Sequence, residues 1–252
     1  MKTRLPVSCE ELYSNCLFSS IANAVSTIRN PQLSYSQSWD GVNYSFQHGS
    51  SRGTITFHLT DAILVGAIRD EKSSRRSWYP KFNAIELFNE APEAAKVLST
   101  NEALQYLFDE VDSTSLPVAP VGFLGKLIGK SAHVERVAMP VATTALWSEG
   151  DAVFSCDTLA DFIGNGGEFL AEIMTSANEL RTYWEERYCL SSEEIDLANN
   201  IFQLKKSGET MISMNSVLRK GRANSIDTND RSVEGEKEFL KSLVDMGFVV
   251  DK

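Results

Sequence analysis

One short segment of the chain, between Lys72 and Lys81, combines basic and aromatic residues. This segment contains Arg75, Arg76, Trp78 and Tyr79. An arginine guanidinium can donate paired hydrogen bonds to a carboxylate or phosphate, and Trp, Tyr and Arg are the side chains that most often anchor protein interfaces. The segment therefore predicts a partner-binding surface. The alternative is a solvated loop whose aromatic rings turn back into the core.

A second motif, Gly125 to Ser131, ends in Gly-Lys-Ser as nucleotide-binding phosphate loops do. Such a loop has four residues between its two glycines, whereas only three residues separate Gly125 from Gly129. Prolines on both sides disfavour the strand and the long helix that must flank a phosphate loop. A glycine-rich connection is the better interpretation, and a nucleotide-binding enzyme remains an alternative.

Gly49 to Gly53 matches the Gly-x-Ser-x-Gly pattern of serine hydrolases. That pattern needs a helix after the serine, but Ile55, Phe57 and Leu59 alternate with polar residues as a strand does. The sequence therefore predicts a hairpin turn here. A hydrolase whose catalytic residues are scattered along the chain also remains an alternative.

The cysteine and histidine content gives little support for a metal site. The chain has four cysteines and three histidines, and no two cysteines are spaced as Cys-x-x-Cys. Cys9 and Cys16 lie two helical turns apart, too far for a disulfide. We expect free, buried thiols at Cys9, Cys16, Cys156 and Cys189, and neither a metal nor a cofactor.

The balance of charge and hydrophobicity limits the possible functions. The 252 residues are 42% hydrophobic, enough for a substantial core, and 24 basic against 34 acidic residues give a net charge of −10. This charge disfavours non-specific attraction to nucleic acid or to an anionic membrane, and it favours a basic protein partner. The beginning of the chain does not read as a signal peptide and no apolar run reaches ~20 residues, so we expect a soluble, cytoplasmic protein.

The first elements needed to position these residues are a helix and a small sheet. Ser8 and Glu11 form a capping box that starts an amphipathic helix, which ends before Pro31. Alternation over residues 42–46 and 55–59 predicts a hairpin, and residues 62–68 predict a third strand. An N-terminal helix with a small antiparallel β-meander follows from these patterns.

The middle of the chain is predicted to be mostly helical. Ser99 and Glu102 have the spacing of a capping box, Asp157 is expected to cap a short helix, and residues 168–187 read as one longer helix. Prolines and glycines interrupt any period over residues 115–139, which therefore predict an irregular connection.

The last quarter of the chain resembles a winged-helix module in the order of its elements. A helix capped by Ser191, a short helix or a strand followed by a helix over residues 211–218, a third helix over 234–246 and a final strand over 248–250 support this resemblance. In a winged helix, the basic side chains around the polar stretch would be candidates for nucleic-acid contact: Arg219, Lys220, Arg222 and Arg231. Acidic residues at the start of the third helix favour contact with protein at least as much as with DNA.

The sequence thus predicts an α+β fold with an N-terminal helix and β-meander, a helical middle region and a C-terminal winged-helix-like module. The expected domains are residues 1–187 and 188–252. The predicted function is non-catalytic binding or regulation through protein–protein contacts, for example as an inhibitor or immunity-type protein of a basic partner. The alternatives are a DNA-binding regulator that uses the C-terminal module, and a hydrolase or nucleotide-binding enzyme.

Overall fold

A computed structural model describes residues 2–79, 81–112, 136–209, 211–213 and 231–251. The predicted mixture of helices with a β-meander is confirmed. The strands are β1 (Thr3–Ser8), β2 (Gln37–Asp40), β3 (Asn43–His48), β4 (Ser51–His58), β5 (Ile63–Asp70), β6 (Phe108–Asp112), β7 (Arg136–Pro140), β8 (Thr144–Glu149), β9 (Ala152–Ser155), β10 (Met211–Ser213) and β11 (Val249–Asp251). The α-helices are α1 (Cys9–Thr27), α2 (Glu93–Asn101), α3 (Leu159–Phe162), α4 (Glu168–Ile173), α5 (Ala177–Tyr188), α6 (Ser192–Lys206) and α7 (Arg231–Asp245).

Seven of these strands form one sheet in the order β1-β9-β8-β5-β4-β3-β2, with antiparallel neighbours throughout. The predicted three-stranded meander corresponds to β3, β4 and β5 at its centre. Two smaller sheets pair β6 with β7 in antiparallel fashion and β10 with β11 in parallel fashion. The meander is therefore part of a wider sheet than the sequence predicts.

Helix α1 packs on one face of the sheet and is buried on nearly every side, because α6 and α7 also pack against it. Its predicted capping box is confirmed: the Glu11 N–H donates to Ser8 Oγ (3.1 Å), and the Ser8 N–H donates to the Glu11 carboxylate (2.9 Å). The core on this face includes Leu12, Ile55 and Phe239. It thus joins the first helix, the sheet and the C-terminal helix.

A second core lies on the opposite face of the sheet. Here Ala67 and Trp147 of the sheet pack with Phe88, Ala95 and Leu104, which come from the segment that follows β5. The sheet is consequently covered on both faces. The basic and aromatic segment follows the end of β5 at residue 70.

The prediction of a mostly helical middle region is wrong for residues 108–112 and 144–155, which contain β6, β8 and β9. Most of the irregular connection predicted over residues 115–139 lies outside the described residues, and its last four residues belong to β7. Ser99 does not cap a helix, because it lies inside α2 and donates to the Lys96 carbonyl (2.8 Å). Thr158, not Asp157, caps α3. The single long helix predicted over residues 168–187 is two helices, α4 and α5, and a new capping box at Ser176 starts the second.

The winged-helix-like module is not confirmed. The capping box at Ser191 does begin a helix, α6, and α7 follows close to its predicted place. Residues 211–213 form a strand, which agrees with the second of the two alternatives for residues 211–218, and residues 214–218 lie outside the described residues. This strand pairs in parallel with the final strand. A wing is an antiparallel pair, so this pairing differs from it in direction.

Candidate functional site

Three of the predicted partner-binding residues lie in a 3₁₀ turn, Ser74–Trp78, which begins shortly after the end of β5, and the fourth, Tyr79, follows the turn. Ser73 caps this turn, because its Oγ accepts a hydrogen bond from the Arg75 N–H (3.2 Å). The same Oγ donates to Asn165 Oδ1 (2.7 Å), in the turn between α3 and α4. Two chain segments that are far apart in the sequence are thereby joined at one end of the sheet.

Arg75 is held by an internal ion pair with Asp157. Its Nη1 and Nη2 donate to the two carboxylate oxygens at 2.7 and 2.6 Å, and Nη1 also donates to the Thr143 carbonyl (2.9 Å). Asp157 is buried and accepts a third hydrogen bond from Thr144 Oγ1 (2.6 Å). Burial opposes the charge of Arg75, but the hydrogen bonds and negative charge of Asp157 outweigh it and raise the pKa of Arg75. This arginine therefore serves as a fixed support.

Trp78 is the exposed element of the segment, with 43% of its surface accessible. The guanidinium carbon of Arg75 lies 5.0 Å from the centroid of its ring, within the range of a cation–π interaction. The Phe82 ring also contacts the indole in an edge-to-face arrangement, with the ring centroids 5.3 Å apart. The indole is thus accessible to a partner and is held in place by two neighbours.

Tyr79 closes the segment and turns inward. Its hydroxyl donates to the Ala142 carbonyl (2.6 Å) and accepts from the Ala142 N–H (2.9 Å), as an additional strand residue would. Burial raises the pKa of Tyr79 to about 12, so the phenol stays protonated and keeps both bonds at neutral pH. Tyr79 anchors the end of the turn.

Arg76 belongs to a different charged group, on the β6 side. Arg76 Nη2 and Arg69 Nη2 each lie 2.7 Å from the same carboxylate oxygen of Asp109, and both arginines also contact Glu71. Arg69 is 5% exposed, and its Nε and Nη1 have no hydrogen-bond partner in the part of the chain that the structure describes. Arg76 therefore belongs to a network of ion pairs that fixes β6 against β5.

Two more large apolar side chains are exposed beside this segment. Leu159 and Ile163 are 41% and 40% exposed, and both follow Asp157 in the segment that Arg75 and Ser73 contact. We name the exposed surface of residues 73–79 and 157–165 the Trp78 face. No sequence pattern indicates its second half, because Asp157 was predicted to be an ordinary helix cap.

The turn that carries Asn165 is pressed against the sheet by a glycine. Gly166 has φ = +110°, and a Cβ there would lie 2.9 Å from Asp70 Cβ. The carbonyl oxygen of the adjacent Asn165 accepts a hydrogen bond from Thr143 Oγ1 (2.7 Å). The backbone carbonyl of Thr143 in turn accepts the hydrogen bond from Arg75. The close approach that glycine permits therefore brings both halves of the Trp78 face onto one set of hydrogen bonds.

The remaining predicted residues do not join this site. Arg219, Lys220, Arg222 and the Gly-Lys-Ser motif at residues 125–131 lie outside the described residues. Arg231 is the first residue of α7. Gly49 and Ser50 form the turn between β3 and β4, with φ = +58° at Gly49, so the predicted hairpin is confirmed.

The four cysteines are free thiols, but they differ in access. Cys9 and Cys16 are buried as predicted and Cys156 is partly buried, whereas Cys189 is exposed, which corrects the prediction of a buried thiol there. Burial raises the pKa of Cys9 and of Cys156 to about 11. At neutral pH these thiols are therefore protonated, and the thiolate is the reactive form.

We expect iodoacetamide at pH 7.5 to modify Cys189 well before the other three cysteines. The native protein should gain one adduct quickly, as measured by mass spectrometry, and unfolding in urea should make all four thiols reactive. Labelling of Cys9 or Cys156 at a similar rate in the native protein would contradict this assignment of burial.

No three His, Cys, Asp or Glu side chains among the described residues are grouped to hold a metal ion. None of the helices in the described ranges is long and apolar enough to cross a membrane. The chain matches no protein-family model, no curated protein and no solved structure. Its site is therefore interpreted from geometry and chemistry.

Proposed function

We propose that this chain is a non-catalytic binding protein that contacts another protein through the Trp78 face. The observation that carries the proposal is that Trp78 is exposed and yet contacts both Arg75 and Phe82, with Arg75 itself fixed by buried Asp157. Large aromatic side chains that fill a partner's pocket commonly contribute ~2 kcal/mol or more to binding. A ring that is already held in place loses less conformational freedom when the partner arrives.

The exposed aliphatic side chains of Leu159 and Ile163 extend the proposed contact surface. Single exposed apolar residues are common on proteins, but these three lie on two segments that are joined by the contacts of Ser73 with Asn165 and of Arg75 with Asp157, so we expect one partner surface to cover all three. The polar groups around them are already bonded to one another, as for Arg75 with Asp157 and Ser73 with Asn165. Covering this face would therefore remove little water from unpaired charges.

We propose further that the partner is basic and that the chain acts as a cytoplasmic inhibitor or regulator of it. The support for this is the net charge of −10, which would accelerate encounter with a positively charged protein. We expect the association rate constant, measured by stopped flow, to fall about tenfold or more between 20 and 300 mM NaCl. An association rate that does not change with salt would contradict a basic partner.

The proposed surface is tested by the Trp78→Ala variant. Tagged wild-type and variant proteins are incubated with extract from the native cells, with and without nuclease, and the recovered proteins are compared. We expect the variant to lose a stoichiometric protein partner that survives nuclease treatment, because ~2 kcal/mol corresponds to about 30-fold in affinity. Its free energy of unfolding should change by less than ~1 kcal/mol.

Val97→Ala is the matched control, because Val97 is an exposed apolar residue on α2, outside the Trp78 face. This control should recover the partner as the wild type does. Equal recovery by the Trp78 variant would contradict the proposed surface, and recovery that depends on nucleic acid would favour the DNA-binding alternative.

A further inference from the structure

A cavity of about 630 Å³ opens between α1, α5 and α6, away from the Trp78 face. This volume lies within the range of small-molecule sites, which are ~300–1,000 Å³. Its apolar wall is formed by Phe18, Leu180 and Phe202. Polar side chains complete the lining, so the cavity has both an apolar side and a polar side.

Asn15 lines the cavity, although its side chain is largely buried, with 8% of the residue exposed. Its Nδ2 donates to the carbonyl oxygens of Ile173 (2.8 Å) and Thr175 (3.0 Å). Carbonyl oxygens only accept hydrogen bonds, so these two contacts fix which end of the amide is nitrogen. Oδ1 accepts no hydrogen bond from any residue that the structure describes, and it is left as an oriented acceptor in the cavity lining.

Two carboxylates on the cavity wall are also without partners. Neither the Glu10 nor the Asp151 side chain forms a hydrogen bond or ion pair within the described ranges, and both line the cavity. Lys206 is the one basic side chain among the lining residues, against three acidic ones that include Glu11. The lining therefore carries an excess of negative charge.

The starts of α1 and α5 also meet this cavity, and both are already capped. Hydrogen bonds from Ser8 lower the pKa of Glu11, and hydrogen bonds led by the one from Thr175 lower the pKa of Glu179 to about 2. These carboxylates bind the N–H groups of the helix starts and stay ionised at neutral pH. The helix ends are thus occupied by the chain's own anions, and the field in the cavity favours a cation.

We propose that this cavity binds a primary ammonium group carried on an aliphatic chain. The ammonium has three donors, and Asn15 Oδ1, Glu10 and Asp151 offer acceptors of the required kind. The aliphatic chain would pack against Phe18 and Leu180. The proposal goes beyond the protein contact at the Trp78 face, because no residue of that face lines this cavity.

Two sources can supply this group, a free diamine or the side chain of a lysine in another protein. Calorimetry on the full chain at low salt separates them with three probes: cadaverine, Nα-acetyl-lysine methylamide and its uncharged analogue Nα-acetyl-norleucine methylamide. We expect a Kd below about 1 mM for at least one amine and at least about tenfold weaker binding of the norleucine compound.

Each outcome with the probes has a defined meaning. Binding of cadaverine alone assigns the site to free diamines, and binding of the lysine compound assigns it to a lysine side chain. If the norleucine compound binds as tightly as the lysine compound, the proposal is overturned, because the site then recognises only the apolar chain. Absence of binding by both amines at 10 mM would overturn it as well.

The Glu10→Gln/Asp151→Asn double variant tests the assigned acceptors. We expect it to weaken amine binding about tenfold or more, while Glu186→Gln, an exposed substitution outside the cavity, should leave binding unchanged. Thermal unfolding of each variant shows whether it is folded. A folded double variant that binds amine as the wild type does would overturn the proposal, and the unmodified protein with the norleucine probe tests it without any variant.

Discussion

Replacing Asp157 by asparagine is expected to lower the free energy of unfolding by about 3 kcal/mol. Asp157 accepts two hydrogen bonds from Arg75 and one from Thr144, and 6% of its side chain is exposed. Removal of one partner leaves the other charge buried without compensation, which costs about 3–5 kcal/mol for a fully buried pair. The lower end of that range applies, because Arg75 keeps 17% of its side-chain surface in contact with water.

The double variant Asp157→Asn/Arg75→Met is the control for this prediction. It removes the charge that Asp157→Asn leaves behind, so we expect it to be more stable than the single variant. Urea unfolding of the wild type, both single variants and the double variant measures the interaction. A single variant as stable as the wild type would contradict the internal ion pair.

The same substitution should also affect binding, and in a way that differs from Trp78→Ala. Loss of Asp157 frees Arg75, which lies 5.0 Å from the Trp78 ring centroid and helps to hold it. We therefore expect Asp157→Asn to reduce both stability and partner affinity, whereas Trp78→Ala reduces affinity alone. Comparing the two variants distinguishes a residue that supports the binding surface, Asp157, from a residue that contacts the partner, Trp78.

Gly235→Ala is expected to destabilise the protein by about 1–3 kcal/mol. A Cβ at Gly235 would lie 2.4 Å from the Ile28 carbonyl oxygen and 2.5 Å from that of Thr27. These are backbone atoms at the end of α1, so neither can rotate away, and α7 must move outward. Alanine favours a helix over glycine by up to ~1 kcal/mol, which offsets only part of this cost.

Hydrogen exchange localises the effect of this variant. We expect faster exchange in α7, with less change in the central strands β4 and β5, because the clash lies between α7 and the end of α1. Gly164→Ala is the matched control, since no atom lies within 4 Å of a Cβ at that position. Unchanged stability of Gly235→Ala would show that α7 does not approach α1 this closely.

Local signals in the sequence predicted the elements that depend on neighbouring residues. The capping boxes at Ser8 and Ser191 lie at real helix starts, because both partners of a box are three residues apart. The alternating pattern around Gly49 gave the hairpin for a similar reason. Ser99 and Glu102 have the same spacing, but Ser99 lies inside α2. Ala95 of this helix and Leu104, which follows it, pack in the same core, and this tertiary packing is not visible in the local spacing.

The site itself depends on contacts that no local pattern records. Arg75 and Asp157 are 82 residues apart in the chain, and their pairing arises only when β8 lies beside β5 and β9 lies beside β8. The pattern that predicted a strand over residues 62–68 did not reveal that Asp109 lies against Arg69 at the end of this strand. The basic and aromatic composition located half of the Trp78 face, whereas the other half could be found only from the fold.

The most direct test of the proposed function is photocrosslinking from the Trp78 face. One chain carries p-benzoylphenylalanine in place of Leu159, which leaves Trp78 intact, a second carries it in place of Val97, and both are irradiated with the recovered partner. The predicted result is one crosslinked product from position 159 and none from position 97, because α2 is not part of the surface. Crosslinking of the partner from position 97 but not from position 159 would contradict contact through the Trp78 face.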